Sequence, residues 1–339
     1  MSEAELNKTN IGIALLKALM AFEVVLAHFC KWPDSMPIYM QPFRTLVSLA
    51  VPVFFVVSFY YSEKIIISRN RMTKFDRLKK LFLPQLIWAI IYFDIFLILD
   101  RFCGTGNNAT TMDLLYQVFT GHSSKLNSAM WFQFDLIIIT ALFCLIYSKD
   151  KKTGLVLTLI ITALSIYLQI SGINYSFFNG MIFELKYPLG RLAEMIPYAT
   201  LGFLLKYFDI LDTLKKHRYI SIIVATILFI AGFIIKWPTF SDFGYGGFTK
   251  LYLCIFPVII AYLFPFEYLT KGIKEILLKL CENTLGIYCM HILVAKLIKV
   301  FLPVIYSETF IGCIIIYVVS YLISCIIKAL FTRSAHNFI

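Results

Sequence analysis

The sequence predicts an all-α, polytopic membrane protein with about ten transmembrane helices and with both termini in the cytoplasm. Its 339 residues are 60% hydrophobic and only 15% charged, and the mean hydropathy is +0.79, which lies outside the range of soluble globular domains. Apolar runs of about 20 residues, the length that a helix needs to cross the hydrocarbon core, recur along the whole chain. Basic residues cluster in alternate connections between these runs.

Ten apolar segments are predicted to span the membrane. In chain order they cover 11–30, 45–62, 81–100, 130–148, 154–170, 188–205, 219–235, 248–265, 284–302 and 309–327. No internal repeat and no low-complexity linker separates them, so residues 1–339 are expected to form a single transmembrane domain without an appended soluble domain. The first span has no small-residue cleavage site after it and is expected to be a retained helix rather than a signal peptide. The longest outer connection, Arg101 to Ala129, is rich in turn-forming residues.

The distribution of Lys and Arg sets the predicted orientation. With the N-terminus inside, the inner connections carry 20 Lys and Arg and the outer connections carry 7, in agreement with the positive-inside rule. The most basic inner segment, KIIISRNRMTKFDRLKK, is explained by topology and by contact with anionic lipid, with a cytosolic phosphate ligand as the alternative. The net charge of +11 is therefore accounted for by membrane topology. Membrane lipids, rather than nucleic acid, are the expected partners of these charges.

Three polar side chains interrupt the first span, NIGIALLKALMAFEVVLAHF. Charged side chains cost roughly 2.5 to 3.5 kcal/mol each at the centre of a span, so they indicate function. Lys17 and His28 are eleven positions apart, which places them within roughly 20° of each other on one helical face and about 16 Å apart along the axis. Such a face is expected to line a cavity, with snorkelling of Lys17 and a satisfied interfacial His28 as the structural alternatives. Glu23 lies more than a quarter turn from both and is expected to meet a packing or ion-pair partner on a neighbouring helix.

Two later spans also carry polar side chains at helical spacing. Arg191 and Glu194 stand at i and i+3 in the sixth span, where they either neutralise each other or present Arg191 to the same cavity as Lys17. Tyr288 and His291 lie one turn apart in the ninth span and are candidates for lining a pocket, although a single buried His is more often structural. Because no cysteine pair has metal-ligand spacing, neither a metal ion nor a bound cofactor is expected.

Six short motifs occur in order along the chain. They are ALLKALMAFEVVLAH, LAVPVFFVVSFYYSEKI, RLKKLFLPQLIW, AMWFQFDLI, ATLGFLL and NTLGIYCMH. Together they resemble the acyltransferase 3 family of membrane acyltransferases, and the likeness runs from about Ile11 to Phe331. The resemblance implies a ten-helix protein that moves an acyl group, usually acetyl from acetyl-CoA, onto a hydroxyl of a surface carbohydrate.

The resemblance also implies roles for individual residues. In the first-helix motif of the family a basic residue, usually Arg, stands eleven positions before a His that is needed for transfer, and the matching residues here are Lys17 and His28. His28 is accordingly the expected general base, and Lys17 is the cation expected to hold CoA or acyl carrier groups. Lys keeps the charge but lacks the planar fork with which Arg binds phosphate bidentately. A second departure is Ser58-Phe59, where the family usually has Ser-Gly.

The remaining roles concern the oxyanion and the pocket. Arg191, or alternatively Lys17, is expected to supply positive charge where the tetrahedral oxyanion develops. The second-rank candidates for the pocket are Trp131, Tyr288, His291 and Glu194. Acetyl-CoA is the expected acyl donor, and a cell-surface or lipid-linked carbohydrate at the inner (plasma) membrane is the expected acceptor.

A secondary transporter or polysaccharide permease is the main alternative function. Lys17, Glu23 and His28 within one span suit a proton or ion relay on physical grounds. The lack of two-fold internal repetition and the six motifs favour the enzyme instead. A purely structural scaffold would leave the shared face of Lys17 and His28 unexplained.

Overall fold

The computed structural model describes residues 10–31, 46–171, 186–236 and 248–330, except for positions 107, 124, 305 and 307. Within these ranges the chain is helical and contains no β-strand, which confirms the all-α prediction. The α-helices are, in order, α1 (Ile11–Phe29), α2 (Ala50–Ile66), α3 (Arg71–Cys103), α4 (Thr111–Thr120), α5 (Trp131–Ile146), α6 (Lys151–Ile170), α7 (Lys186–Tyr207), α8 (Ile210–Leu214), α9 (Arg218–Lys236), α10 (Phe248–Leu263), α11 (Lys271–Cys281), α12 (Thr284–Phe301) and α13 (Phe310–Leu330).

A long helix lies at each of the ten positions that were predicted to span the membrane. Eight helical segments in the described ranges are long and apolar enough to cross a bilayer, so the chain is a multi-pass membrane protein. The other two positions are those of α2, which has 17 residues, and α7, in which Arg191 and Glu194 lower the mean hydropathy. The total of ten spans and the cytoplasmic placement of both termini remain predictions.

Two elements differ from the boundaries that the sequence suggested. α3 begins at Arg71 rather than at residue 81, because the side chain of Asn70 accepts hydrogen bonds from two backbone N–H groups of the first turn and caps the helix. Part of the basic segment that was predicted to be inner is therefore helical. The long connection that was predicted to be outer contains α4, which starts with a capping box between Thr110 and Asp113. That pair was the sequence signal for the unpredicted helix.

The chain divides into two compact units. The first comprises Met1–Glu63 and Pro197–Thr284, and the second comprises Lys64–Ile196 and Leu285–Ile339. In the first unit the side chain of Asn10 caps α1 by accepting from the N–H of Ile13 at 3.0 Å. The amide of Asn10 also donates to the carbonyl of Tyr262 in α10 at 3.0 Å, so the cap joins α1 to α10. The single domain over residues 1–339 stays a prediction.

Two glycines allow helices of the first unit to approach closely. A Cβ built on Gly12 of α1 would overlap the backbone carbonyl of Ala261 in α10. Likewise, a Cβ on Gly202 of α7 would overlap the carbonyl of Val56 in α2. Small residues support such contacts in membranes, where van der Waals packing rather than the hydrophobic effect holds helices together. Gly202, which lies in one of the six motifs, therefore has a packing role.

We expect Gly202→Ala to destabilise the protein by about 1–3 kcal/mol, because the added methyl group overpacks the contact between α7 and α2. Gly272→Ala in α11 is the matched control, since nothing lies within 4 Å of its added Cβ and Ala is favoured over Gly in a helix. Thermal unfolding in detergent should show a lower midpoint for Gly202→Ala and an unchanged or higher one for Gly272→Ala. Equal midpoints would contradict the close approach of the two helices.

Candidate active site

α1 holds Lys17 and His28 in one unbroken helix. It runs over Ile11–Phe29, and it ends where the N–H of Cys30 donates to the carbonyl of Leu26 at 3.0 Å. The eleven-residue spacing is therefore a true helical spacing, which places both residues on one face about 16 Å apart along the axis. Lys17 is half-buried, and His28 is exposed on the last turn.

Lys17 lies beside the contact between α1 and α11. This contact is made by four buried residues, Ile11, Ala14, Leu278 and Cys281. Burial raises the pKa of the Cys281 thiol to about 11, and the nearby positive charge of Lys17 opposes that rise. The thiol is thus neutral near pH 7, so Cys281 offers Lys17 no negative charge.

Glu23 is buried on a different face of α1, with an exposed fraction of 8%. Its Oε2 has no hydrogen-bond partner within the part of the chain that the structure describes. The expected ion-pair partner on a neighbouring helix is therefore not found among the described residues, and the carboxyl group instead lines an apolar pocket of the first unit. Lys17, Glu23 and His28 do not share one face.

The second unit gathers three groups around Arg191. Its Nε lies 3.5 Å from Oδ2 of Asp135 in α5, and its Nη2 donates to the carbonyl of Thr120, at the end of α4, at 2.8 Å. The guanidinium carbon lies 5.2 Å from the ring centroid of Trp131, within the range of a cation–π interaction. Arg191 thus pairs across helices with Asp135, a partner that the two sequence-based alternatives for Arg191 did not include. Glu194 is half-buried on the same helix as Arg191.

Tyr288 and His291 are both buried in α12. The OH of Tyr288 donates to the carbonyl of Ala129, and its ring packs edge-on against Phe132 with centroids 5.2 Å apart. Nδ1 of His291 lies 2.6 Å from the carbonyl oxygen of Tyr288. Because a carbonyl oxygen only accepts, Nδ1 carries a hydrogen and donates this bond. This bond to its own helix supports the structural alternative for His291.

A set of buried polar side chains in the same unit was missed from the sequence. Nε2 of Gln85 donates to the carbonyl of Gln117 at 2.7 Å, and Oε1 of Gln117 accepts from the N–H of Asn127 at 3.2 Å. The OH of Tyr92 donates to the carbonyl of Cys289 at 2.9 Å and accepts from a backbone N–H farther along α12 at 2.9 Å. Gln85 and Tyr92, polar side chains inside an apolar run, were the available signal, since each polar group in a membrane must find a partner.

A family model described as an acyltransferase domain matches residues 10–329. The chain belongs to the acyltransferase 3 family. Its membership confirms the resemblance drawn from the six motifs and makes it a membrane acyltransferase. No curated protein and no solved structure matches this acyltransferase 3 chain. The matched range, residues 10–329, covers Lys17, His28 and Arg191.

The predicted site residues of this acyltransferase 3 protein fall into two groups. Trp131, Arg191, Tyr288 and His291 come together in the second unit, whereas Lys17 and His28 lie in the first. Asp135 joins the second group as the buried counter-charge of Arg191. The sequence showed Asp135 as a carboxylate in the motif AMWFQFDLI, four positions after Trp131. It did not show that Arg191 is its partner.

Proposed function

We propose that the protein is a membrane O-acetyltransferase. It moves acetyl, or another short acyl group, from acetyl-CoA to a hydroxyl of a cell-surface or lipid-linked carbohydrate at the inner (plasma) membrane. The observation that carries the proposal is the unbroken α1, which keeps Lys17 and His28 on one face of a chain of the acyltransferase 3 family. Imidazole is the side chain best suited to proton transfer near neutral pH, and the side chain of His28 is exposed on the last turn of α1.

In the proposed reaction His28 removes the proton of the acceptor hydroxyl as its oxygen attacks the thioester carbonyl. A C–O bond forms and gives a tetrahedral oxyanion. The C–S bond then breaks, and the leaving CoA thiolate takes up the proton from His28. Positive charge is needed where the oxyanion develops.

The predicted topology gives Lys17 and His28 different tasks along α1. Lys17 lies about 16 Å nearer the cytoplasmic end of the helix than His28, and acetyl-CoA is cytosolic. We therefore assign Lys17 to the CoA end of the donor and His28 to the acceptor hydroxyl. The reaction written above requires the pantetheine arm of acetyl-CoA to thread between the helices as far as His28.

Purified protein with isotope-labelled acetyl-CoA and a surface or lipid-linked glycan tests the reaction. Wild-type protein should place label on a glycan hydroxyl, and His28→Ala should not. Mass spectrometry of surface polysaccharide from cells with and without the protein should differ by the mass of the acyl group. Glycan uptake or export without acylation would overturn the proposal and favour the transporter.

The position of Glu23 also bears on the transporter alternative. A relay through Lys17, Glu23 and His28 requires the three side chains to share a path, but Glu23 faces an apolar pocket on another side of α1. Membership of an acyltransferase family adds a second argument for transfer. Both observations favour acyl transfer over transport.

Replacement of Lys17 tests its assignment to the donor. We expect Lys17→Arg to retain transfer, because Arg keeps the charge and adds the bidentate fork. Lys17→Ala should raise the KM for acetyl-CoA about tenfold or more, since a hydrogen bond to a charged group contributes roughly 1.5–3 kcal/mol. Lys279→Ala, an exposed position on α11, is the control and should leave KM unchanged. A wild-type KM in Lys17→Ala would show that this cation does not hold the donor.

A further inference from the structure

The first unit contains an apolar pocket with a volume of about 560 Å³. Along α1 it extends from Gly12 to Glu23, a distance of about 16 Å at the rise of an α-helix. Side chains from α2, α9, α10, the segment just before α2 and the segment just after α10 complete its wall, and every lining residue except Glu23 is apolar. A pocket that is long relative to its volume, with a hydrocarbon lining, fits a linear hydrocarbon chain.

Glu23 gives this pocket a second chemical property. It is the polar residue of the lining, its side chain is more than nine-tenths buried, and no residue of the described chain makes a hydrogen bond to its Oε2. A buried carboxyl oxygen without a partner costs free energy, because its hydration is lost and nothing replaces it. The pocket therefore presents a hydrogen-bond acceptor at one end of an otherwise apolar space.

The pocket is separate from the proposed catalytic face. At 100° per residue, Glu23 lies about 120° from Lys17 and about 140° from His28 around α1. The side chain of His28 is exposed whereas that of Glu23 is buried, and neither Lys17 nor His28 lines the pocket. A ligand in the pocket would thus occupy a different side of the helix from the Lys17–His28 face.

We propose that this pocket binds a long-chain alcohol, with the hydrocarbon chain in the apolar part and the hydroxyl donating to Oε2 of Glu23. A hydrocarbon chain without a polar group fills the volume but leaves Oε2 of Glu23 without a hydrogen bond. An amine brings a second charge and its own desolvation penalty. A hydroxyl donates to an ionised carboxylate, and it both donates to and accepts from a neutral carboxyl group. It therefore satisfies Glu23 in either protonation state.

Photo-crosslinking of the full-length protein in lipid nanodiscs tests the site. The probe is a long-chain alcohol with a diazirine in its chain, and the competitors are the unlabelled alcohol and its methyl ether, which cannot donate a hydrogen bond. We expect crosslinks to peptides of α1 and α10, and we expect the alcohol to compete about tenfold better than the ether. The assay contains no acyl donor, so its outcome is independent of the transfer reaction proposed above.

Variants at Glu23 separate the hydroxyl contact from general lipid binding. Glu23→Leu should bind the alcohol and the ether equally, whereas Glu23→Gln, which keeps an acceptor oxygen, should retain the preference even if Glu23→Leu fails to fold. Glu275→Leu on α11, which does not line the pocket, is the control and should behave as wild type. Equal competition by the ether in wild-type protein, or crosslinks confined to peptides outside the pocket, would overturn the proposal.

Discussion

Replacing His28 by glutamine is expected to lower acyl transfer by about 10²- to 10⁴-fold, the usual contribution of a general base. Glutamine keeps a polar side chain of similar size at the end of α1 but cannot take up a proton near neutral pH. The loss should therefore appear in kcat, while the KM for acetyl-CoA stays near its wild-type value because Lys17 is retained. Transfer of labelled acetyl from acetyl-CoA to the glycan measures both constants.

His217→Gln is the matched control for this variant. His217 is an exposed histidine of the same unit, in the turn between α8 and α9, and its replacement should leave transfer unchanged. Thermal unfolding of both variants shows whether the fold is retained. A folded His28→Gln protein with wild-type kcat would remove His28 from the reaction, and with it the basis of the proposed mechanism.

Removing one partner of the Arg191–Asp135 pair should produce the largest loss of stability. The side chain of Asp135 is fully buried and that of Arg191 is 15% exposed, so Asp135→Leu leaves a largely buried guanidinium without its counter-charge. The cost of such an unpaired charge is about 3–5 kcal/mol. The midpoint of thermal unfolding in detergent, followed by tryptophan fluorescence, should fall accordingly. Trp131, one of the four tryptophans of the chain, lies against Arg191 and contributes to this signal.

Two further variants show whether the loss of stability in Asp135→Leu comes from breaking the Arg191–Asp135 pair or from losing any acidic residue. Asp76→Leu removes an exposed carboxylate of α3 in the same unit and should change stability by no more than about 0.5 kcal/mol. The double variant Asp135→Leu with Arg191→Met should be more stable than Asp135→Leu alone, because no charge is then left buried. If the double variant is the less stable of the two, the two side chains do not act as a pair.

The positions of the long helices of this chain were largely predictable because hydropathy is a local property. A helix of 19 residues lies where the sequence placed the first span. The other nine predicted positions also hold long helices. The missed features depend on short polar signals. Asn70 extends α3 beyond its apolar stretch, and Thr110 with Asp113 starts α4 inside a connection that appeared to be turn-rich.

The charged residues show which relations follow from spacing within one helix and which depend on contacts between helices. The sequence by itself determined that Lys17 and His28 share a face, since helical periodicity follows from spacing along one element. It offered Glu194 as the neighbour of Arg191 for the same reason, and only the tertiary structure decided that Asp135 of α5 lies against it. Glu23 was expected to meet a packing or ion-pair partner on another helix. In the structure it lines an apolar pocket, and its Oε2 has no hydrogen-bond partner among the described residues. Which faces of distant helices meet depends on packing between elements, and spacing within a single helix carries no information about that.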